Sequence, residues 1–245
     1  MTADRQPRRT VAAAFARLVV PVGLYGVDLA VHLVALVTHA DTVAAVTQAL
    51  LIPLLAAALL GASRRPLARV TRWALVALGL SWLGDTLPNV ADGDTAFLLM
   101  VGAFLLAQAA YVTSFWPDRR RVRRGTVVAY AVALATLVAI CAPHAGGLLV
   151  PVVVYGLMLT TMAVLSTGLG RIAALGGAVF FVSDGLIALG HFAGHPTGTA
   201  GGLAVMSTYA VGQALLVAGV LHRASADDVP AAWPPVRRRR ASLAG

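Results

Sequence analysis

Long apolar runs alternate with short polar breaks along the whole chain, and the runs are too continuous for helices that keep one face in water. Clusters of Arg, Gly and Pro bound them, which predicts helices over 18–38, 43–62, 73–91, 96–116, 125–143, 147–168, 172–192 and 201–222. About 20 apolar helical residues cross a hydrocarbon slab about 30 Å thick, so each run is of spanning length. The predicted fold class is all-α: a polytopic membrane protein of about eight transmembrane helices. Three parts follow, a basic N-terminus over 1–17, the transmembrane domain over 18–222, and a disordered, basic, Pro-rich tail over 223–245. The apolar stretch after Arg17 runs on past Val34, beyond the length of a signal peptide, and is read as an uncleaved first helix.

Composition agrees with this pattern. The 245 residues are 59% hydrophobic and only 12% charged, with a mean hydropathy of +0.82. Soluble domains are only about half apolar. Every basic residue is Arg and every acidic one is Asp. Without a lysine no retinal or other Schiff base can form, which excludes a rhodopsin-like photoprotein. Cys141 is alone, so neither an intrachain disulfide nor a multi-cysteine metal site is available. The bias toward Ala, Arg, Gly and Val points to a GC-rich bacterial genome and hence to the bacterial plasma (inner) membrane.

The net charge of +9 resembles that of a nucleic-acid-binding protein, but these arginines sit between apolar runs and not on one basic face, so no nucleic-acid partner is expected. Arg5 to Arg17, Arg64 to Arg72, Arg119 to Arg124, Arg171 and Arg223 to Arg240 all fall on one side of an eight-span parse. The loops of the other side carry His39, Asp41, Asp92, Asp94, His144 and His195, so the positive-inside rule predicts that both termini are cytoplasmic. The Arg237 to Arg240 run suits anionic lipid head groups or a stop signal that fixes topology. Packing faces within and between protomers read alike in lipid, so the sequence assigns no oligomeric state.

Three carboxylates lie inside predicted spans: Asp28, Asp85 and Asp184. An ionisable group there costs about 2.5–3.5 kcal/mol even on the gentlest scale, which makes each a functional candidate. At a rise of about 1.5 Å per residue, Asp85 and Asp184 both stand about 18 Å above the inner end of their helices, and Asp28 about 15 Å. Tyr155 and Tyr209 fall near the same height, with Gln108, Gln213 and Ser81 about one turn deeper. Ser81 and Asp85, like Tyr209 and Gln213, are four apart and share a helix face, and Gln108 and Tyr111 are three apart. A polar chamber open to the outer side is expected. Asp28 with His32 at i+4 also reads as a structural hydrogen-bond hub.

A short internal echo relates Leu83-Gly84-Asp85-Thr86-Leu87 to Val182-Ser183-Asp184-Gly185-Leu186, with Gln108 and Gln213 corresponding in the following helices. It predicts a tandem repeat of two four-helix units, which would bring the two aspartates together near a pseudo-twofold axis. Two other constellations compete. His191 and His195, at i and i+4, could join Asp28 or Asp184 in a metal site. The aspartates could instead carry protons or cations in a small-molecule or lipid transporter. An intramembrane aspartyl protease is disfavoured, because Trp82-Leu83-Gly84-Asp85 lacks the first glycine of that motif and no Pro-Ala-Leu follows Asp184.

Ser81-Trp82-Leu83-Gly84-Asp85, then Gly102-Ala103-Phe104-Leu105-Leu106-Ala107-Gln108-Ala109-Ala110-Tyr111, Tyr155 to Met162, Phe180-Phe181-Val182-Ser183-Asp184 and Tyr209 to Gln213 resemble the YhhN family, which includes the lysoplasmalogenases. The resemblance covers about residues 45–220. The chain departs from the family at Ile52, before Pro53, where a lysine is usual, and at Gln108, where histidine is frequent. The resemblance implies hydrolysis of the vinyl ether of a lysoplasmalogen, lysoplasmenyl-ethanolamine or -choline, to a fatty aldehyde and a glycerophospho-head group. The implied partners are thus a lysophospholipid or ether-lipid substrate and the surrounding membrane lipids.

Such chemistry calls for one protonated and one ionised carboxyl, and burial beside a second carboxylate is a general way to separate those roles. Asp85 and Asp184 are the expected catalytic pair. Ser81, Gln108, Tyr111, Tyr155, Ser183, Tyr209 and Gln213 are expected to position substrate and water. No metal and no other cofactor is expected.

Overall fold

The computed structural model describes residues 6–227. The expected N-terminal arginines Arg5 and, at the other end, Arg237 to Arg240, together with the rest of the tail from residue 228, lie outside them. Among the described residues the chain is all-helical, with eight α-helices: α1 (Gln6–Thr38), α2 (Asp41–Ala62), α3 (Arg69–Thr86), α4 (Gly93–Phe115), α5 (Arg124–Ala145), α6 (Leu149–Leu169), α7 (Arg171–Ala193) and α8 (Gly198–Asp227). Short 3₁₀ turns follow α3 (Leu87–Val90), α4 (Trp116–Arg121) and α5 (Gly146–Leu148). The expected spans and the helices coincide at their centres and differ at their ends. Thus α1 starts well before residue 18, and α8 continues past 222 to Asp227.

Among the described residues six helical segments are long and apolar enough to cross a membrane, the architecture of a multi-pass membrane protein. Two differences from the expected eight have physical causes. The α3 segment carries Arg69, Arg72 and Asp85 within 18 residues, too many charges for an apolar span by composition. Residues 124–169 form one continuous apolar stretch of 46 residues. A straight helix of that length would reach about 70 Å, more than twice the hydrocarbon thickness. Instead the chain reverses at Gly146, whose φ of +49° suits a residue without a side chain. A Cβ on Gly156 would lie 2.6 Å from Leu134 Cδ1, and these residues are nearly equidistant from the reversal, so α5 and α6 pair as an antiparallel hairpin.

Backbone contact, not side-chain bulk, sets the tightest pairing. A Cβ on Gly176 would fall 2.7 Å from the Leu216 backbone nitrogen, and one on Gly219 would fall 2.5 Å from Ala173 Cβ. This is the close approach that small residues allow between helices in lipid. The valines of α1, including Val20, Val27 and Val34, lie exposed along its outer side, as suits a surface that meets lipid tails.

The arginine-bearing ends converge. Asp118 is buried just after α4, where both its oxygens accept from Nε of Arg223 in α8 at 3.0 and 3.1 Å. Arg121 reaches the same carboxylate at 3.0 Å. Gly168 of α6 packs on the Asp118 backbone, and Ala62 to Arg64 share a cleft with Leu221 and Ser225. The ends of α2, α4, α6 and α8 thus form one basic rim. The core lies between it and the opposite ends, around Leu51, Leu59, Leu78, Tyr111, Phe115, Met162, Phe180 and Leu216.

Candidate functional site: two carboxylates in one helical core

Asp85 and Asp184 are both buried, at 7% and 8% exposure, and each has a tyrosine as hydrogen-bond donor. Asp85 projects from α3, one turn beyond Ser81, and its Oδ2 accepts from the Tyr209 hydroxyl of α8 at 2.8 Å. Gln213, one turn further along α8, donates from Nε2 to Ser81 Oγ at 3.1 Å and accepts at Oε1 from the Tyr111 hydroxyl at 2.7 Å. The i, i+4 pairs on α3 and α8 therefore face each other. Ser81, Asp85, Tyr111, Tyr209 and Gln213 form one network that joins α3, α4 and α8.

Asp184 belongs to a second cluster. Its Oδ2 accepts from the Tyr155 hydroxyl of α6. Gln108 of α4 lies beside that hydroxyl, yet neither atom of its side-chain amide has a hydrogen-bond partner among the described residues. Unpaired buried donors and acceptors are costly, so a polar group reaching this amide would gain both. Ser183 turns away from this cluster and donates to the Val205 carbonyl at 3.0 Å, tying α7 to α8.

The surroundings of the two carboxylates differ. Asp184 and Tyr155 line a cavity whose remaining walls are apolar, among them Met100, Phe104, Val152 and Phe192. The same pair also lines a second, smaller apolar cavity on the side of α5, with Leu134, Cys141, Gly156 and Leu159. Asp85 lines neither. Phe104 touches both surroundings, lining the larger cavity while its ring packs edge-on to Tyr209 at 5.7 Å. A Cβ on Gly84 would meet that ring at 2.6 Å, so the small residue before Asp85 makes space for it. Asp85 and Asp184 are nonetheless near enough for their charges to interact.

Two neighbours of Asp85 were not singled out from the sequence. Gln48 of α2 lies within reach of its carboxylate. Tyr25 of α1 lies close by and donates to the Ala210 carbonyl at 2.8 Å. Both are polar positions in otherwise apolar runs, and that was the available signal. Neither belongs to a motif with Asp85.

The remaining candidates separate. His32 Nδ1 pairs with Thr47 Oγ1 at 2.9 Å and the Ala44 carbonyl at 3.1 Å, while His32 Nε2 and Asp28 Oδ2 are buried without a partner among the described residues. His191 stacks on Phe97, with ring centroids 4.0 Å apart. Among the described residues no three His, Cys or Asp side chains gather as metal ligands would, so the competing grouping of His191 and His195 with an aspartate does not assemble.

Fold and site together define a polytopic α-helical membrane protein with two tyrosine-bound carboxylates in its core, one of them opening onto an apolar cavity. The chain belongs to the YhhN family, whose pattern matches residues 43–220. It is similar to a protein named Lysoplasmalogenase from Mycobacterium bovis and to one of the same name from Mycobacterium tuberculosis. Each is 35% identical over 190 residues, which cover 73% of this chain and 70% of the relative. No solved structure matches the chain.

Proposed function

We propose that this protein is a lysoplasmalogenase-like membrane hydrolase that cleaves the vinyl ether of lysoplasmenyl-ethanolamine or -choline to a fatty aldehyde and a glycerophospho-head group. The observation that carries the reading is the Tyr155–Asp184 pair, the polar feature of an otherwise apolar cavity, in a chain 35% identical to proteins named for that activity.

In this reading Asp184 contacts the substrate. Tyr155 holds its Oδ2, which leaves Oδ1 to carry the proton. That proton passes to the alkenyl carbon remote from the ether oxygen, and the C=C electron pair forms the new C–H bond. The adjacent carbon and oxygen become an oxocarbenium ion. Water adds to that carbon and returns a proton to the carboxylate. The resulting hemiacetal then breaks its C–O bond to release aldehyde and the glycerol hydroxyl, so one water is consumed in all. The amide of Gln108 suits the task of holding the water.

Asp85 is the second carboxylate of the pair, fixed by Tyr209 beside a network of Gln213, Ser81 and Tyr111. Its charge favours the cation that forms at Asp184. Eight membrane crossings, with the basic rim and both termini in the cytoplasm of a bacterial cell, agree with the antiparallel α5–α6 hairpin and with the convergence of the arginine-bearing ends. The echo between the segments around Asp85 and Asp184 supports a tandem repeat, since Gln48 of α2 approaches the first and Tyr155 of α6 the second.

The test is mass spectrometry of products after the purified protein is incubated with a panel of lysolipids. Fatty aldehyde from the vinyl ether substrates, lost in both Asp85→Asn and Asp184→Asn while the proteins stay folded, is the expected result. Full turnover in the two variants would remove the mechanism. Substrate-dependent proton flux without product would point to transport.

A further inference from the structure

Asp184 and Tyr155 stand at the junction of two cavities, not at the end of one. The larger, between α4, α6 and α7, continues through Phe97, Met100 and Ile187 into an open depression at the end of the bundle opposite the basic rim, where His191 and Thr197 stand. The smaller lies on the far side, between α5, α6 and α7, and shares Val152, Tyr155, Asp184 and Ala188 with the larger. Beyond Tyr155 and Asp184 its walls are apolar apart from the Cys141 thiol.

We propose that this α5-side cavity is the binding site for the single hydrocarbon chain of the lipid, and that Leu134, Cys141, Gly156 and Leu159 set its chain-length preference. The inference rests on the hydrolase reading for the identity of the reacting bond. In a lysoplasmalogen the vinyl ether joins the polar glycerophospho-group to one apolar chain, so a catalytic carboxyl must stand where polar and apolar parts of the substrate meet. Only one placement satisfies both cavities. The head group lies toward the His191 and Thr197 opening, the ether lies beside Asp184, and the chain passes Tyr155 into the α5-side cavity. A lipid bound the other way round would set its charged head among Leu134, Leu137 and Leu159, with no polar partner there for the phosphate.

The close fit of α5 on α6 explains how chain length would be read. Leu134 Cδ1 occupies the space that a side chain on residue 156 would fill, so Gly156 and Leu134 together shape one wall of the cavity. Cys141 is buried against another wall, and a larger side chain there projects into the space a chain would take.

The experiment uses the full-length protein in detergent or lipid nanodiscs. It measures kcat/KM over a graded series of lysoplasmenyl-ethanolamine chain lengths, and binding of the matching saturated 1-O-alkyl lysolipids, which cannot be hydrolysed. Cys141→Phe is expected to shift preference toward shorter chains, by roughly fourfold in the long-to-short ratio for each methylene displaced. Leu134→Ala, which enlarges the same cavity, is expected to shift it toward longer ones. Thermal melts show which variants are folded, and the two changes alter volume in opposite directions, so one misfolded variant leaves the other decisive. Chain-length profiles that match the wild type in folded variants overturn the proposal, as does failure of the saturated lysolipids to bind. If those lipids bind with the expected dependence and no vinyl ether is cleaved, the chain site stands and the hydrolase reading falls.

Discussion

The Tyr209 hydroxyl donates to Asp85 Oδ2 over 2.8 Å and so joins α8 to α3 across 124 residues of chain. Tyr209 also packs its ring on Phe104 and Phe180, with centroids 5.7 Å away in both cases. One side chain therefore holds a carboxylate by its polar tip and a wall of the cavity by its ring. Tyr209→Phe keeps the second function and removes the first. We expect kcat/KM for aldehyde release to fall about tenfold or more, from loss of one hydrogen bond to a charged group, with a small loss of thermal stability. Turnover equal to wild type would show that the Asp85 network has no part in the reaction.

A larger effect is expected at Asp184. Asp184→Asn keeps the shape of the side chain but cannot deliver a proton, and the loss of a general acid is worth about 10²–10⁴-fold. Tyr155→Phe leaves the acid in place but loose, with an expected loss of about tenfold. The ordering is the check. A Tyr155→Phe defect as deep as that of Asp184→Asn would make the tyrosine, not the aspartate, the proton donor.

Much of this architecture is legible in the sequence, because lipid forces helices and a run of apolar residues is a strong signal. The positions of Asp85, Tyr209, Gln213 and Ser81 follow from i, i+4 spacing along α3 and α8, which places partners on one face before any packing is known. Spacing along a helix is silent about rotation around it. Ser183 enters the expected site with its neighbour Asp184 in the Phe180-Phe181-Val182-Ser183-Asp184 motif, yet its hydroxyl faces α8 and bonds the Val205 carbonyl. Height also set Asp85 and Asp184 level, and it could not reveal that only Asp184 lines the apolar cavity with Phe104, since that depends on which way each helix turns in the bundle. The break between α5 and α6 was legible as the gap between the runs over 125–143 and 147–168, while the shortfall of α3 as an apolar span arises because the helix takes in Arg69 and Arg72, which the expected run over 73–91 leaves in the preceding basic loop.

Gly84 offers a test of the cavity wall at Phe104. A methyl group added there would lie 2.6 Å from the Phe104 ring, so in Gly84→Ala the ring must move or the helices must separate. Overpacking of this kind costs about 1–3 kcal/mol. Displacement of the ring into the cavity would raise KM for the lysolipid more than it lowers kcat, because the space lost is substrate space. A shorter side chain at the ring position, Phe104→Leu, should relieve the clash in the double variant. If Gly84→Ala is indistinguishable from wild type in stability and in KM, the close contact has no role in shaping the cavity.

At the opposite end of the bundle, Asp118 should affect stability without touching chemistry. Its carboxylate is buried and takes two bonds from Arg223 Nε and a third contact from Arg121, linking the end of α4 to α8 close to the Gly168 backbone of α6. Asp118→Asn preserves size and removes the charge that both arginines approach. Loss of a buried charge that two guanidinium groups approach costs about 1–3 kcal/mol, more than loss of a pair on an open surface would. The expected outcome is a lower melting temperature in a thermal shift assay, with kcat/KM for aldehyde release unchanged at temperatures where the protein stays folded. The substituted asparagine can still accept from Arg223, so Asp118→Ala, which leaves a void as well, should melt lower still. Loss of activity in Asp118→Asn without any change in melting would place the basic rim in the catalytic cycle and contradict its assignment as a structural clasp.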